Sequence, residues 1–364
     1  MDNRQKFHFE PNTGWINDPN GLCHWHGLYH AFFQHNPYSA HWATMHWGHA
    51  VSEDLLHWEE KPIALYPDQP YDAPYDNRGG CYSGSAAEKD GRLYLFYTSV
   101  SEGLGQTQSI AWTDDGETFV KYPGNPLIDR FPEDGSKDFR DPKVFRYGEK
   151  WHMVVASGKD GIGKILHYVA DDLFAWTYAG VLFASDKYGP ILECPDLFPL
   201  GDKWILMFSK TNREKTAVQF LIGTFDGNTF TAETEEFTEL GPHYYAPQTF
   251  LSPDGRRILI GWMHAFGSLP ADDGIRKGGL TIPRQLSLRD GRLLCAPIDE
   301  AKPLLTDSDA EVHVTSDAVW IDVRPNTRPC RYDGEIRDVK ILRDTRTVEV
   351  FINGGEAVLS YWSK

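Results

Sequence analysis

Sustained helical periodicity is missing from this chain. No stretch of the first 300 residues repeats apolar positions every 3.6 residues between capping signals, so no helix competes for a core. Cysteine is scarce: Cys23, Cys81, Cys194, Cys295 and Cys330 are five, odd in number, far apart and without paired ligand spacing. They read as reduced packing residues and argue against a disulfide frame or a zinc site. Basic residues are outnumbered, 36 against 52 acids, for a formal charge of -16. Nucleic acid and anionic membrane both require a basic footprint, so neither is expected as a partner. No apolar run approaches the ~18 residues that span a bilayer. The first residues, Met-Asp-Asn-Arg-Gln-Lys, contain no apolar leader segment, and the expected location is cytoplasmic.

Aromatic residues are plentiful, with 12 Trp, 17 Tyr and 20 Phe, a composition that leans towards carbohydrate, whose clefts use aromatic faces as platforms. Five short apolar runs follow a Gly-containing turn: 28–33, 93–97, 151–155, 204–208 and 258–262. They are short, rich in aromatic and β-branched residues and bounded by turn signals, and so read as buried strands. The turn glycines stand at 27, 91, 148, 201 and 255, at intervals of 64, 57, 53 and 54 residues. A near-constant period of this size in an all-β pattern predicts a propeller of five four-stranded blades. Four of the blades carry a downstream marker, a strand pair around an acidic turn at 47–58, 110–119, 167–176 and 222–230, whose Asp residues are expected to cap hairpins. Blade five is expected to finish with 279–288 and 292–297. Two long connections, 66–80 and 265–278, are candidate rims of a site.

The segment before each turn glycine holds the polar chemistry. In order these are Asn17-Asp18-Pro19, Tyr82-Ser83-Gly84-Ser85, Arg140-Asp141-Pro142, Glu193-Cys194-Pro195 and Tyr245-Ala246-Pro247. Asp18, Ser83, Asp141, Glu193 and Tyr245 precede their glycines by 9, 8, 7, 8 and 10 residues, which predicts five positions at nearly the same height on five equivalent strands. First strands of propeller blades face the central channel, so Asp18, Asp141 and Glu193 are expected to share a funnel mouth. Three carboxylates in one pocket repel, raising at least one pKa and supplying both an ionised nucleophile and a protonated acid. Retaining glycoside hydrolysis requires that pair about 5–5.5 Å apart. A Ca²⁺ site is the competing reading, weakened by the Arg and Tyr in the same ring, because a hard cation wants six or more oxygens.

Trp15 to Gly21, Gly48 to Trp58, Tyr82 to Ala86, Arg140-Asp141-Pro142, Glu193-Cys194-Pro195 and Leu280 to Leu286 together resemble glycoside hydrolase family 32, the invertases, inulinases and other β-fructosidases. The resemblance covers residues 7–298. It implies a five-bladed propeller with a β-sandwich behind it, cleaving β-fructofuranosyl bonds with retention and with neither metal nor cofactor. By the same resemblance Asp18 is the nucleophile, Glu193 the general acid/base, and Asp141 the acid that hydrogen-bonds fructose hydroxyls and stabilises the oxocarbenium-like transition state. Asn17, Gln34, Trp42, Tyr82, Ser83, Arg140, Tyr245 and Trp262 fall at sugar-pocket positions. Alternatives from the residues alone stay open: Trp42 and Trp262 as core aromatics, Gln34 as a strand cap, Arg140 as a structural partner that lowers the Asp141 pKa.

The chain departs from the family pattern at its end. Residues 1–298 read as the propeller, leaving 66 residues, 299–364, for a shortened sandwich whose last hairpin is Val348 to Val358. Half a sandwich exposes apolar sheet surface or unpaired edges, so the remnant is expected to pack on the propeller or on a second subunit, which would make a homo-oligomer. The expected activity is hydrolysis of sucrose or short fructooligosaccharides. A fructosyltransferase on the same fold and a non-catalytic fructan-binding propeller are the alternatives.

Overall fold

The computed structural model describes residues 3–212 and 216–363. Five antiparallel four-stranded meanders follow one another along the chain. Blade I runs Gly14–Trp25, Leu28–Asn36, His46–Ser52, Trp58–Leu65, and blade II Gly80–Lys89, Arg92–Ser101, Gly105–Thr113, Val120–Lys121. Blade III runs Phe139–Tyr147, Lys150–Lys159, Ile162–Ala170, Thr177–Ser185, and blade IV Leu192–Leu200, Lys203–Lys210, Val218–Phe225, Phe230–Glu236. Blade V runs Tyr245–Leu251, Arg257–Met263, Arg284–Arg289, Arg292–Pro297. The first strand of each blade touches that of the next, and the fifth returns to the first, closing a propeller ring. A short parallel pairing of Gly14 with Arg276 and Trp15 with Lys277 fastens the closure. The turn glycines at 27, 91, 148, 201 and 255 all adopt positive φ, between +60° and +84°, which is why Gly recurs there.

The acidic markers are structural. Asp54, Asp115, Asp172 and Asp226 each accept backbone N–H bonds from the residues two and three positions on, at 2.7–2.9 Å, folding each hairpin end into an Asx turn.

The five inner strands all break register at the same place. Pairing is regular up to Ile16, Tyr82, Arg140, Glu193 and Tyr245 and resumes at Pro19, Gly84, Lys143, Asp196 and Gln248. Within three of these bulges Asp141, Cys194 and Ala246 take φ values of +62°, +49° and +47°. Their N–H groups, freed from the ladder, donate to the preceding blade: Asp141 to Thr98 Oγ1, Cys194 to Asp141 Oδ2 and Ala246 to Ser209 Oγ, at 2.9–3.1 Å. The bulges refine the expectation of a nearly common height. Glu193 and Tyr245 sit level with Tyr82 and Arg140, one residue before the level of Ser83, Asp141, Cys194 and Ala246.

Beyond the propeller, Val312–Val314, Ala318–Ile321 and Cys330–Asp333 form one three-stranded sheet, and Val339–Arg343, Thr347–Ile352 and Ala357–Trp362 another. The two sheets pack through Val319, Ile321, Cys330, Val348, Val350 and Leu359. Every residue of Thr347–Ile352 is buried. Alternation explains this: Val348, Val350 and Ile352 face the other sheet, while Phe351 joins Phe9, Ile282 and Leu286 of the propeller core. Of the two expected packings the one on the propeller is seen: both faces of the second sheet are covered within one chain. The Leu280 to Leu286 motif belongs to this junction and not to a site. Arg284, fully buried, bonds Glu239 Oε2 at 2.8 Å and Glu349 Oε2 at 2.7 Å.

His8 completes that junction, its Nδ1 3.0 Å from Asp344 and its Nε2 2.9 Å from Glu349. Burial alone would lower the imidazole pKa, but the two carboxylates prevail and raise it to about 9. A raised folded-state pKa gives stability that is fully present below the unfolded value, near 6.5, and lost as pH rises through about 9. The wild type should thus lose more melting temperature between pH 7 and pH 10 than a His8→Gln variant. Equal losses in the two proteins would contradict the assignment.

Candidate active site

The bulges also make the site. On a regular strand successive side chains point to opposite faces. Here the neighbours Asn17 and Asp18, Tyr82 and Ser83, Arg140 and Asp141, and Glu193 and Cys194 all line one cavity of about 400 Å³ at the channel mouth. Gln34, Trp42, Tyr245 and Trp262 line it too, so every residue singled out in the sequence borders the same space.

Asp18 is oriented from two sides. Ser83 Oγ donates to its Oδ2 at 2.6 Å, and the Asn17 side chain, itself fixed by the Trp15 Nε1 bond to Asn17 Oδ1 at 2.7 Å, gives a second hydrogen bond. Burial raises the Asp18 pKa above the usual carboxylate range. The Ser83 and Asn17 bonds oppose that rise, and repulsion from Glu193 adds to it.

Glu193 lies between two donors. Arg140 Nη2 bonds its Oε1 at 2.8 Å, and the Tyr245 hydroxyl donates to its Oε2. Asp141, buried, is pushed up to about 7 by burial and by the neighbouring Asp18 and Glu193, against the pull of Arg140. Arg140 makes its direct bonds to Glu193 and to Asp138, at 2.9 Å, and its charge lowers the Asp141 pKa as expected, though burial outweighs it. Burial and repulsion raise both Asp18 and Asp141, so this cavity keeps protons at pH values where exposed carboxyls have lost them.

Gln34 is anchored through Nε2 to the Cys81 carbonyl at 2.9 Å. Trp42 is 37% exposed and meets Tyr82 edge-on, so it is a rim residue and not a core aromatic. Trp262 is both core and wall: it packs against Trp15 at 5.8 Å, and its buried Nε1 has no partner among the described residues.

Sequence reasoning missed four residues that line the cavity: Gln106, Asp138, Cys194 and Phe266. Gln106 Oε1 accepts from the Phe139 N–H at 2.7 Å and Arg140 Nη1 at 3.3 Å, and Asp138 takes the other side of Arg140. Cys194 Sγ lies 3.5 Å from Asp141 and 3.7 Å from Asp18, wedged between the two acids. Burial and the three carboxylates raise its pKa far up, so it remains a thiol. Its place one residue after Glu193 was visible, but the inward turn of a second consecutive side chain was not.

Fold and site together define a carbohydrate hydrolase, and comparison with known proteins assigns it. Residues 8–297 match the glycosyl hydrolases family 32 N-terminal domain, and the chain belongs to glycoside hydrolase family 32. The sucrose-6-phosphate hydrolase of Escherichia coli is 36% identical over 429 aligned positions, 97% of this chain and 88% of the relative. The alignment is longer than the 364-residue chain, so the relative carries segments that this chain lacks. The levanase of Bacillus subtilis is 35% identical over 98% of this chain and 59% of its own length. Among solved structures, a β-fructofuranosidase mutant from Bombyx mori in complex with sucrose superposes with a TM-score of 0.85 at 28% identity, covering 99% of this chain and 89% of the other. The protein is a glycoside hydrolase. Among the described residues no helix is long and apolar enough to cross a membrane.

Proposed function

We propose that the chain is a retaining β-fructofuranosidase that releases terminal fructose from sucrose or short fructooligosaccharides, with residues 1–298 as its catalytic domain and 299–364 as a small supporting module. Asp18 attacks the anomeric carbon of the fructosyl unit as Glu193 protonates the departing glycosidic oxygen, and a covalent fructosyl-enzyme forms. Glu193, now a carboxylate, takes a proton from water, which attacks the same carbon and frees Asp18. Asp141 holds fructose hydroxyls and shares the positive charge that develops on the ring. Arg140 and Tyr245 keep Glu193 turned to the leaving oxygen. Asn17, Gln34, Trp42, Tyr82, Ser83 and Trp262 shape the fructose pocket.

The observation that carries this reading is the approach of three carboxyls in one cavity, one bound by Ser83 and Asn17 and another by Arg140 and Tyr245. Two carboxyls with different partners are the requirement for splitting nucleophile from acid. Relatives named for sucrose 6-phosphate and levan, and the sucrose-bound neighbour, support the substrate class. Incubation with sucrose, kestose and inulin, followed by chromatography of all products, tests it. Free fructose with no longer oligomers is expected; dominant oligomer synthesis would mark a transferase, and unchanged sugars a binder.

The pH profile provides a second test. Asp18 must be ionised to attack, and its pKa is raised, so activity should appear on the alkaline side of the ordinary carboxylate range. The acid limb of kcat/KM is expected above the pH at which exposed carboxyls ionise. Ser83→Ala removes a bond that lowers this pKa and should move the limb further up, with kcat/KM down about tenfold. A limb that moves down in Ser83→Ala would contradict the role given to Asp18.

A further inference from the structure

Asp138 and Gln106 line the catalytic cavity, and what they hold there is Arg140. Asp138 stands two residues before Arg140, so alternation turns both side chains to one face, while Phe139 between them joins the core. Asp138 Oδ1 accepts from Arg140 Nη1 at 2.9 Å, and Gln106 Oε1, from blade II, accepts from the same nitrogen at 3.3 Å. Arg140 Nη2 is left for Glu193 Oε1, at 2.8 Å. One guanidinium thus bridges two carboxyl groups, only one of which takes part in the chemistry.

Both acceptors are fixed by the fold. The Asp138 carbonyl accepts from Ser157 Oγ at 2.6 Å and its N–H donates to Ser136 Oγ at 3.3 Å, which pins the main chain on either side of the side chain. Gln106 is tied to the next blade by the Phe139 N–H, which donates to its Oε1 at 2.7 Å. The electrostatic consequence falls on Glu193. The ionisable groups that face it are Asp18 of blade I, Arg140 and Asp141 of blade III, Cys194 beside it and Tyr245 of blade V. Arg140 is the one cation among these groups, and an unshared cation at 2.8 Å holds a carboxyl group ionised. Burial works against the Arg140 charge, and Glu193, Asp141 and Asp138 keep it in place. A general acid, however, needs its proton at the pH at which Asp18 has lost its own. An Arg140–Asp138 pair carries no net charge, so it can orient Glu193 through a hydrogen bond without the full pull of a lone cation.

We propose that Asp138, seconded by Gln106, is a positioning residue for the general acid: by sharing the Arg140 charge it lets Glu193 keep its proton while the guanidinium holds that carboxyl in place. The inference rests on the retaining β-fructofuranosidase reading, with Glu193 as the acid. A negative charge removed near an acid lowers that acid's pKa, and one added raises it. Substitutions at the two positions can therefore be chosen to act with opposite sign.

The test is the alkaline limb of kcat/KM for sucrose, where Glu193 loses its proton. Asp138→Asn keeps an oxygen for Arg140 Nη1 but removes the charge, and the limb should move down by about one pH unit. The Asp138 and Arg140 side chains are 32% and 14% exposed, so solvent screens part of the larger shift that a fully buried pair would give. Gln106→Glu keeps the acceptor and adds a charge, and should move the limb up. Asp138→Glu restores the charge and should bring the limb back towards wild type. On an activated fructoside, whose leaving group needs no acid, these shifts should vanish. An unmoved limb, or one that moves the same way in Asp138→Asn and Gln106→Glu, overturns the proposal. So does a shift that persists on the activated fructoside, or a raised KM for sucrose in Asp138→Asn with the limb unmoved, which would mark a contact with the leaving sugar. Failure of the parent reading looks different, as no fructose from sucrose in the wild type. Infrared titration of the protonated-carboxyl band that is lost in Glu193→Gln then still decides: a midpoint lower in Asp138→Asn and higher in Gln106→Glu upholds the role of Asp138, and an unmoved midpoint overturns it.

Discussion

Replacing Asp18 with Asn should reduce kcat on sucrose by on the order of 10⁴-fold or more, the scale seen when a covalent nucleophile is removed. Asn keeps the shape and can still meet Ser83 Oγ and the Asn17 side chain, so the cavity should persist and KM should change little. The loss is therefore one of chemistry. The same substitution at Asp141 removes charge stabilisation but leaves a nucleophile, and at Glu193 it removes the proton donor. Only the Glu193 change should be relieved by a substrate whose leaving group departs without protonation, because that substrate no longer needs an acid. A Glu193→Gln variant that regains fructosylation on an activated fructoside, beside an Asp18→Asn variant that does not, separates the two roles. Near-full sucrose activity in Asp18→Asn would refute the nucleophile.

Arg284→Met should destabilise the fold by about 3–5 kcal/mol, the cost of leaving buried charges unpaired. Arg284 is the only described cation bonded to Glu239, and with His8 it holds Glu349. Both carboxylates are almost fully buried at the seam between propeller and module. Without the guanidinium they must either remain charged in a dry site or take up protons. A triple variant with Glu239→Gln and Glu349→Gln added should recover part of the loss, since neutral amides do not need the cation. Denaturant midpoints for the wild type, single and triple variants measure this. A triple variant less stable than the single one would contradict it.

The two predictions concern residues of opposite legibility. Asp18, Asp141 and Glu193 were readable because each precedes a Pro closely and each stands at a repeating distance from a turn glycine. The five-blade period was readable for the same reason, since blades are local meanders whose turns leave Gly and Asp at fixed intervals. Arg284 lay in a recognised motif, yet its role was hidden, because its partners Glu239 and Glu349 come from chain segments with no local signal linking them. The inner ring was read as nearly level, and Glu193 and Tyr245 lie one residue off the level of Ser83 and Asp141. Counting assumes an unbroken ladder, and each inner strand is bulged at the point where the count matters. The same bulges hid Cys194, which alternation would have turned away from the cavity. The short C-terminal module was read as a shortened sandwich packed on the propeller or on a second subunit, and its two three-stranded sheets do pack together with one face on the propeller.

The most direct test of the central claim is peptide mapping by mass spectrometry of Glu193→Gln enzyme quenched during turnover of an activated fructoside. Without its general base the second step slows and the covalent intermediate accumulates. The account predicts the mass of one fructosyl unit on the peptide that carries Asp18, and no such addition when Asp18→Asn is introduced as well. A fructosyl adduct on another residue, or release of inverted fructose with no adduct at all, would contradict it.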